Sequence, residues 1–176
     1  RALAEVLAFH GQQSACFTYD DRDSLRISSA QLAAAVDALA RYLEQPRITV
    51  IGHSMGGLVA RTALTDASRD WGIGRHMDLK LVTISAPFAG IASARFCAVP
   101  LLRFASLGLN DVACWLISGD KWYEITDASD FIRQPGPLAS QVLGHLNVVT
   151  DERDSCRRRD GIGRCVVDDY VFSLAE

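Results

Sequence analysis

Continuous apolar runs alternate with amphipathic stretches along this chain. RITVIG (47–52), LKLVTISAP (79–87) and LNVVT (146–150) are strand-length and apolar at nearly every position. That is the pattern of strands in a sheet covered on both faces. SACFTYD (14–20) reads as an earlier strand. Between them, SSAQLAAAVDALARYLEQP carries Leu32, Val36, Leu39 and Leu43 at helical spacing, with Ser28 or Ser29 as N-cap and Pro46 as terminator. MGGLVARTALTDA, directly after 47–52, reads as a second amphipathic helix. Strands alternating with helices predict an α/β fold with a mostly parallel sheet flanked by helices.

About sixty residues separate the last two strands, too many for a plain connection. They hold an apolar and aromatic run (Phe96, Leu101, Phe104, Leu107, Trp115 among others) and then KWYEITDASDFIRQPGPL. The expectation is a helical excursion near 90–128, either core helices or a lid whose inner face lines an acyl pocket. Its longest apolar part is broken by Arg103, Asn110 and Asp111, against a membrane span. The chain of 176 residues reads as a single domain, and 49% hydrophobic residues suffice for a core. A net charge of −3 argues against a nucleic-acid surface. No cofactor motif appears, and no histidine lies near Cys156 and Cys165 to build a zinc site. Of five cysteines, only Cys156 and Cys165 look pairable, across CRRRDGIGRC; the alternative is two free thiols flanking a basic loop.

The chemistry gathers at G-H-S-M-G, 52–56, which fits the G-x-S-x-G nucleophile elbow. A strand–turn–helix junction this tight holds its serine in strained backbone and needs small residues two before and two after it. Ser54 Oγ is then expected at the sheet's C-terminal edge. The N–H of Met55, at the start of the next helix, would stabilise an oxyanion. The bland alternative is a Gly-rich turn whose serine only caps that helix.

VIGHSMGGLVAR closely resembles the elbow of α/β-hydrolase lipases and esterases, including the branch similar to GPI-inositol deacylases and bacterial triacylglycerol lipases. FTYDDRDSLRISSAQLAAAVDAL resembles the strand and helix before that elbow, LVTISAPFAG the strand after it, and YEITDASDFI the approach to the acid strand. The resemblance implies a partial α/β-hydrolase fold and a serine hydrolase acting through an acyl-enzyme on carboxylic, lipid-like or acyl esters. The apolar excursion suggests a small-molecule ester or lipid substrate, with peripheral membrane contact through the lid, and the expected location is the cytoplasm or a membrane surface of a bacterium.

The family order is serine, acid, histidine. The acid is expected past LNVVT, where Asp151, Asp154, Asp168 and Asp169 compete. DDYVFSLAE resembles the family's acid turn, with ERDSCRRRDGIGRCV as an insertion before it. Asp169 ranks first, then Asp168, then Asp154. No histidine follows. His53 is not the base in the family, and His10 and His76 precede the acid. His145, before LNVVT, is expected roughly 16 Å from the serine's edge. The chain also lacks an initiator Met and the family's upstream H-G oxyanion loop. It therefore reads as a piece of a longer protein, with the catalytic histidine beyond Glu176. An acyltransferase or thioesterase on the same scaffold, or a non-catalytic α/β-hydrolase-like binding module, are the rival functions.

Overall fold

The computed structural model describes residues 2–20, 22–44, 46–66, 77–91, 121, 123–150 and 156–168. In chain order these form α1 (Ala2–Phe9), α2 (Leu25–Ala40), β1 (Arg47–His53), α3 (Met55–Ala63), β2 (Asp78–Ile84), α4 (Asp130–Arg133), β3 (Val142–Val148), β4 (Cys156–Arg159) and β5 (Cys165–Asp168). Strands β1, β2 and β3 make a parallel sheet in that order, and β4 and β5 an antiparallel pair. The alternation of apolar strands and amphipathic helices thus builds the expected parallel α/β layer.

The ladder runs Val50 beside Leu81 beside His145, so those residues share one face. Helix α3 packs on that face over β1 and β2, and α2 packs on α3 and β1. The core between them holds Leu25, Leu32, Ala33 and Val36 of α2, Leu58, Val59 and Ala63 of α3, and Val50, Leu79 and Leu81 of the sheet. The opposite face differs from the expectation of two-sided cover. Ile51, Leu146 and Val148 lie on it and are 39%, 59% and 39% exposed.

Three local expectations are corrected. Residues 14–20 form no ladder; Phe17 and Tyr19 stack with ring centroids 6.0 Å apart and pack against the core from irregular backbone. Helix α2 starts four residues earlier than expected, capped by Ser24, whose hydroxyl accepts from Arg26 N. Glu124 completes that cap from far along the chain, accepting from Leu25 N and from Ser24 Oγ (2.8 Å). The helix ends at Ala40, before Pro46, and Leu39 is exposed rather than on the buried stripe.

Ser28, an expected cap, is instead inside the helix, where its buried Oγ has no hydrogen-bond partner. An unsatisfied buried hydroxyl is destabilising, and alanine is the better helix former. Ser28→Ala is therefore expected to stabilise the fold by about 1 kcal/mol, read as a raised urea midpoint at unchanged slope.

The hairpin also bears on the cysteines. Cys156 faces Asp168, and Cys165 faces Arg159. The two are offset by three ladder positions, roughly 10 Å along the strand, whereas a disulfide joins Cα atoms about 4.4–6.8 Å apart. The turn is organised by Asp160, whose carboxylate accepts from Ile162 N (3.0 Å) and Arg164 N (2.8 Å).

Candidate active site

Strand β1 ends at His53 and α3 begins at Met55, so a single residue turns the chain between them. Ser54 does so at φ 52°, ψ −129°. That left-handed region favours glycine, and a side chain held there is strained. The backbone is pinned on both sides of the turn: Ser54 N donates to Ile84 O of β2 (2.9 Å), and Gly57 N donates to Ser54 O (2.8 Å). The Ser54 side chain makes no cap bond to α3. A serine present only as a helix cap would use its hydroxyl on the helix N–H groups; this one leaves it unused.

The close approach of strand and helix falls on Gly52 and Gly57. A Cβ on Gly52 would meet Gly56 O at 2.4 Å and Gly57 Cα at 2.7 Å, and one on Gly57 would meet Ala86 Cβ at 2.5 Å. Gly56, expected to be the second obligatory small residue, has only Tyr19 Oη at 3.9 Å. Because the atoms crowding Gly52 are backbone, Gly52→Ala is expected to destabilise by about 3 kcal/mol; a denaturation curve matching the parent would refute this.

Met55 is the first residue of α3, so its N–H has no partner within the helix and is free to face an anion beside Ser54. The edge continues across the sheet. Ser85 N donates to Val148 O (2.8 Å), and Ser85 Oγ shares a hydrogen bond with Thr150 Oγ1 (2.9 Å). Ser85 also has positive φ, 49°. Since β3 is parallel to β1 and ends at Val148, the residues following it leave from the edge that carries Ser54.

Of the acid candidates, Asp151, Asp154 and Asp169 lie outside the described residues, and Asp168 is described as the last residue of β5. His76 and residues 92–120, which hold most of the expected lid, also lie outside them. The base of that excursion is described. Ile91 N donates to Ile125 O (2.9 Å), and Gly90 (φ 85°) approaches Asp127 so closely that a Cβ would lie 2.5 Å from its N. The chain thus leaves and returns at one point, just past the C-terminal end of β2.

Among the described residues no histidine is bonded to Ser54 Oγ. His53 is exposed on the face opposite Gly52. His145 lies within β3 in register with Leu81, not ahead of the strand as expected, so it falls roughly 10 Å short of the strand end. Its Nε2 is 2.8 Å from Thr83 Oγ1, which donates its own proton to Asn147 Oδ1 (2.9 Å). Nε2 must then carry a proton, which gives the tautomer. Partial burial and the Arg61 charge both push the His145 pKa down. This Thr83–His145–Asn147 group was not foreseen from the sequence; the one signal was polar residues at Thr83 and Asn147 in otherwise apolar strands. Nor does any group of three potential metal ligands gather among the described residues.

Residues 28–96 match the PGAP1-like alpha/beta domain family. No curated protein matches the chain. Among solved structures, the chain is similar to the Bacillus licheniformis lipase BlEst2 in its mature form, with a TM-score of 0.54 and 18% identity, over 76% of this chain and 49% of the lipase. The chain thus spans about half the length of that lipase. The described sheet and helices are part of an α/β-hydrolase fold, and the two likenesses together support a relationship with the α/β-hydrolase lipases and esterases.

Proposed function

We propose that this chain carries the nucleophile of a serine hydrolase for carboxylic esters of lipid or acyl type. The observation that carries the reading is Ser54: a non-glycine residue held at φ 52° between strand and helix, with its hydroxyl committed to no cap. Strain of this kind costs on the order of 1–3 kcal/mol and persists where the surroundings enforce it. In the proposed reaction Ser54 Oγ attacks the ester carbonyl carbon and its proton passes to a histidine base. The N–H of Met55 stabilises the oxyanion, the alcohol leaves, and water then releases the acid from the acyl-enzyme. Neither His145, held by Thr83, nor His53, which faces away, is the proposed base; the family order of serine, acid and histidine puts the base after the acid.

Asp169 is the proposed acid. Cys156 pairs with Asp168, so the hairpin that follows β3 closes on itself. Its first and last residues, Cys156 and Asp168, are ladder partners. An acid after the hairpin therefore need not be far from one before it, which supports treating 156–168 as an insertion. The proposed lid, 96–117, is supported by the excursion's base beside the end of β2.

A serine-directed fluorophosphonate tests the reading. The expected result is a covalent adduct on the peptide containing Ser54, slow to form in the 176-residue chain and fast once the histidine is supplied. No adduct in either form would favour the non-catalytic binding module. An adduct together with acyl transfer to an added alcohol in preference to water would favour the acyltransferase.

A further inference from the structure

A pocket of about 400 Å³ opens between α3, the 131–135 segment and β3. Leu58, Phe88, Phe131, Ile132 and Pro135 make its apolar wall, and Arg61, His145 and Asn147 its polar end. This volume is in the range of small-ligand sites, which bury an apolar body against hydrophobic walls and fix it with a few polar groups.

The polar end is electrostatically unbalanced. Arg61 Nη1 and Nη2 donate to Pro135 O (2.9 Å) and Gly136 O (3.0 Å), both neutral acceptors. That uses two of the five guanidinium N–H groups. No described carboxylate pairs with Arg61, and no Asp or Glu is among the described residues that line the pocket. Burial disfavours the Arg61 charge, and that charge in turn disfavours protonation of His145. With Nε2 donating to Thr83, the neutral ring keeps Nδ1 as a site that gains a proton when an anion arrives. His145 and Asn147 are exposed along β3, so the polar end is open to solvent.

We propose that this pocket binds a free medium-chain carboxylate, its hydrocarbon against Leu58, Phe88, Phe131 and Ile132 and its carboxylate facing Arg61 and His145. Arg61, the one cation among the described lining residues, has a planar donor fork that suits a carboxylate, whose one charge it matches. A phosphate dianion would need further cations. Ser54 is not among the residues that line the pocket, and the proposal does not depend on the hydrolase reading.

Octanoate, octan-1-ol and inorganic phosphate are the probes, titrated into the Ser54→Ala protein so that no chemistry intervenes. Binding is followed by NMR of the His145 ring, assigned by His145→Gln. Saturable 1:1 binding of octanoate with a raised His145 pKa is expected, with octan-1-ol and phosphate at least tenfold weaker. Arg61→Gln should weaken octanoate ten- to a hundredfold, the usual scale of a charge-assisted hydrogen bond. Because Arg61 also holds the 135–136 backbone, Thr62→Trp, which fills the pocket from its wall and keeps the Arg61 side chain, is the second variant and should abolish binding. The inference is overturned if octanoate fails to bind, if it leaves the His145 pKa unmoved, if octan-1-ol or phosphate binds as tightly, or if a folded Thr62→Trp binds as the parent does. Since binding is read without catalysis, loss of ester hydrolysis and loss of this site are distinguishable results.

Discussion

Ser54→Ala is expected to lower ester turnover by on the order of a million-fold, the loss seen when a nucleophile acting with its base is removed. The comparison is made in the protein that carries the base, with p-nitrophenyl butyrate as the ester. Stability should change little. The Ser54 backbone bonds to Ile84 and from Gly57 use main-chain atoms, which alanine keeps, and the lost hydroxyl has no cap bond to forfeit. Alanine also retains the strained φ, whereas glycine relaxes it. Ser54→Gly should therefore be equally inactive and at least as stable as Ser54→Ala. Turnover within tenfold of the parent in a folded Ser54→Ala protein would remove the serine-hydrolase reading altogether.

Asp169→Asn should reduce turnover by roughly ten-thousand-fold, the loss found when the acid of a triad can no longer hold its histidine in the right tautomer. The effect should fall on kcat with the KM for the ester nearly unchanged, since the acid touches the histidine and not the substrate. Asp154→Asn is the informative control. Asp154 precedes and Asp169 follows in sequence a hairpin whose first and last residues, Cys156 and Asp168, are paired, so chain order alone does not rank them. A ten-thousand-fold loss in Asp154→Asn with Asp169→Asn near normal would move the acid ahead of the hairpin. The Asp168→Asn variant serves in the same way for the residue that ends β5.

What could be read in the sequence was what local chemistry decides. β1, Ser54 and α3 were legible because an apolar run, a glycine pair and a helical repeat sit side by side in fourteen residues. The start of α2 was not. Its cap depends on Glu124, a hundred residues away, which accepts from Leu25 N and Ser24 Oγ and outweighs the local serines at 28 and 29. The start of β3 was hidden because Gly144 and His145 break the apolar run, and only Thr83 across the ladder explains a histidine there. The small residue at 57 was legible as a glycine but not as the tight one, because Ala86, its contact, comes from the segment just past the end of β2. Residues 14–20 have strand composition, yet composition does not supply a ladder partner.

The same long-range clasp has a kinetic consequence. The sheet of three parallel strands joins segments that are far apart in the chain, with roughly sixty residues between the start of β2 and the start of β3, and closing such loops must precede the pairing that rewards it. The Glu124 cap on α2 closes a still longer loop, with partners 99 and 100 positions apart. A nascent chain that has not yet emerged past residue 124 therefore holds α2 without its carboxylate clasp. Folding of this domain should wait on its C-terminal half, with the apolar strands β1 and β2 exposed in the interval and open to chaperone capture.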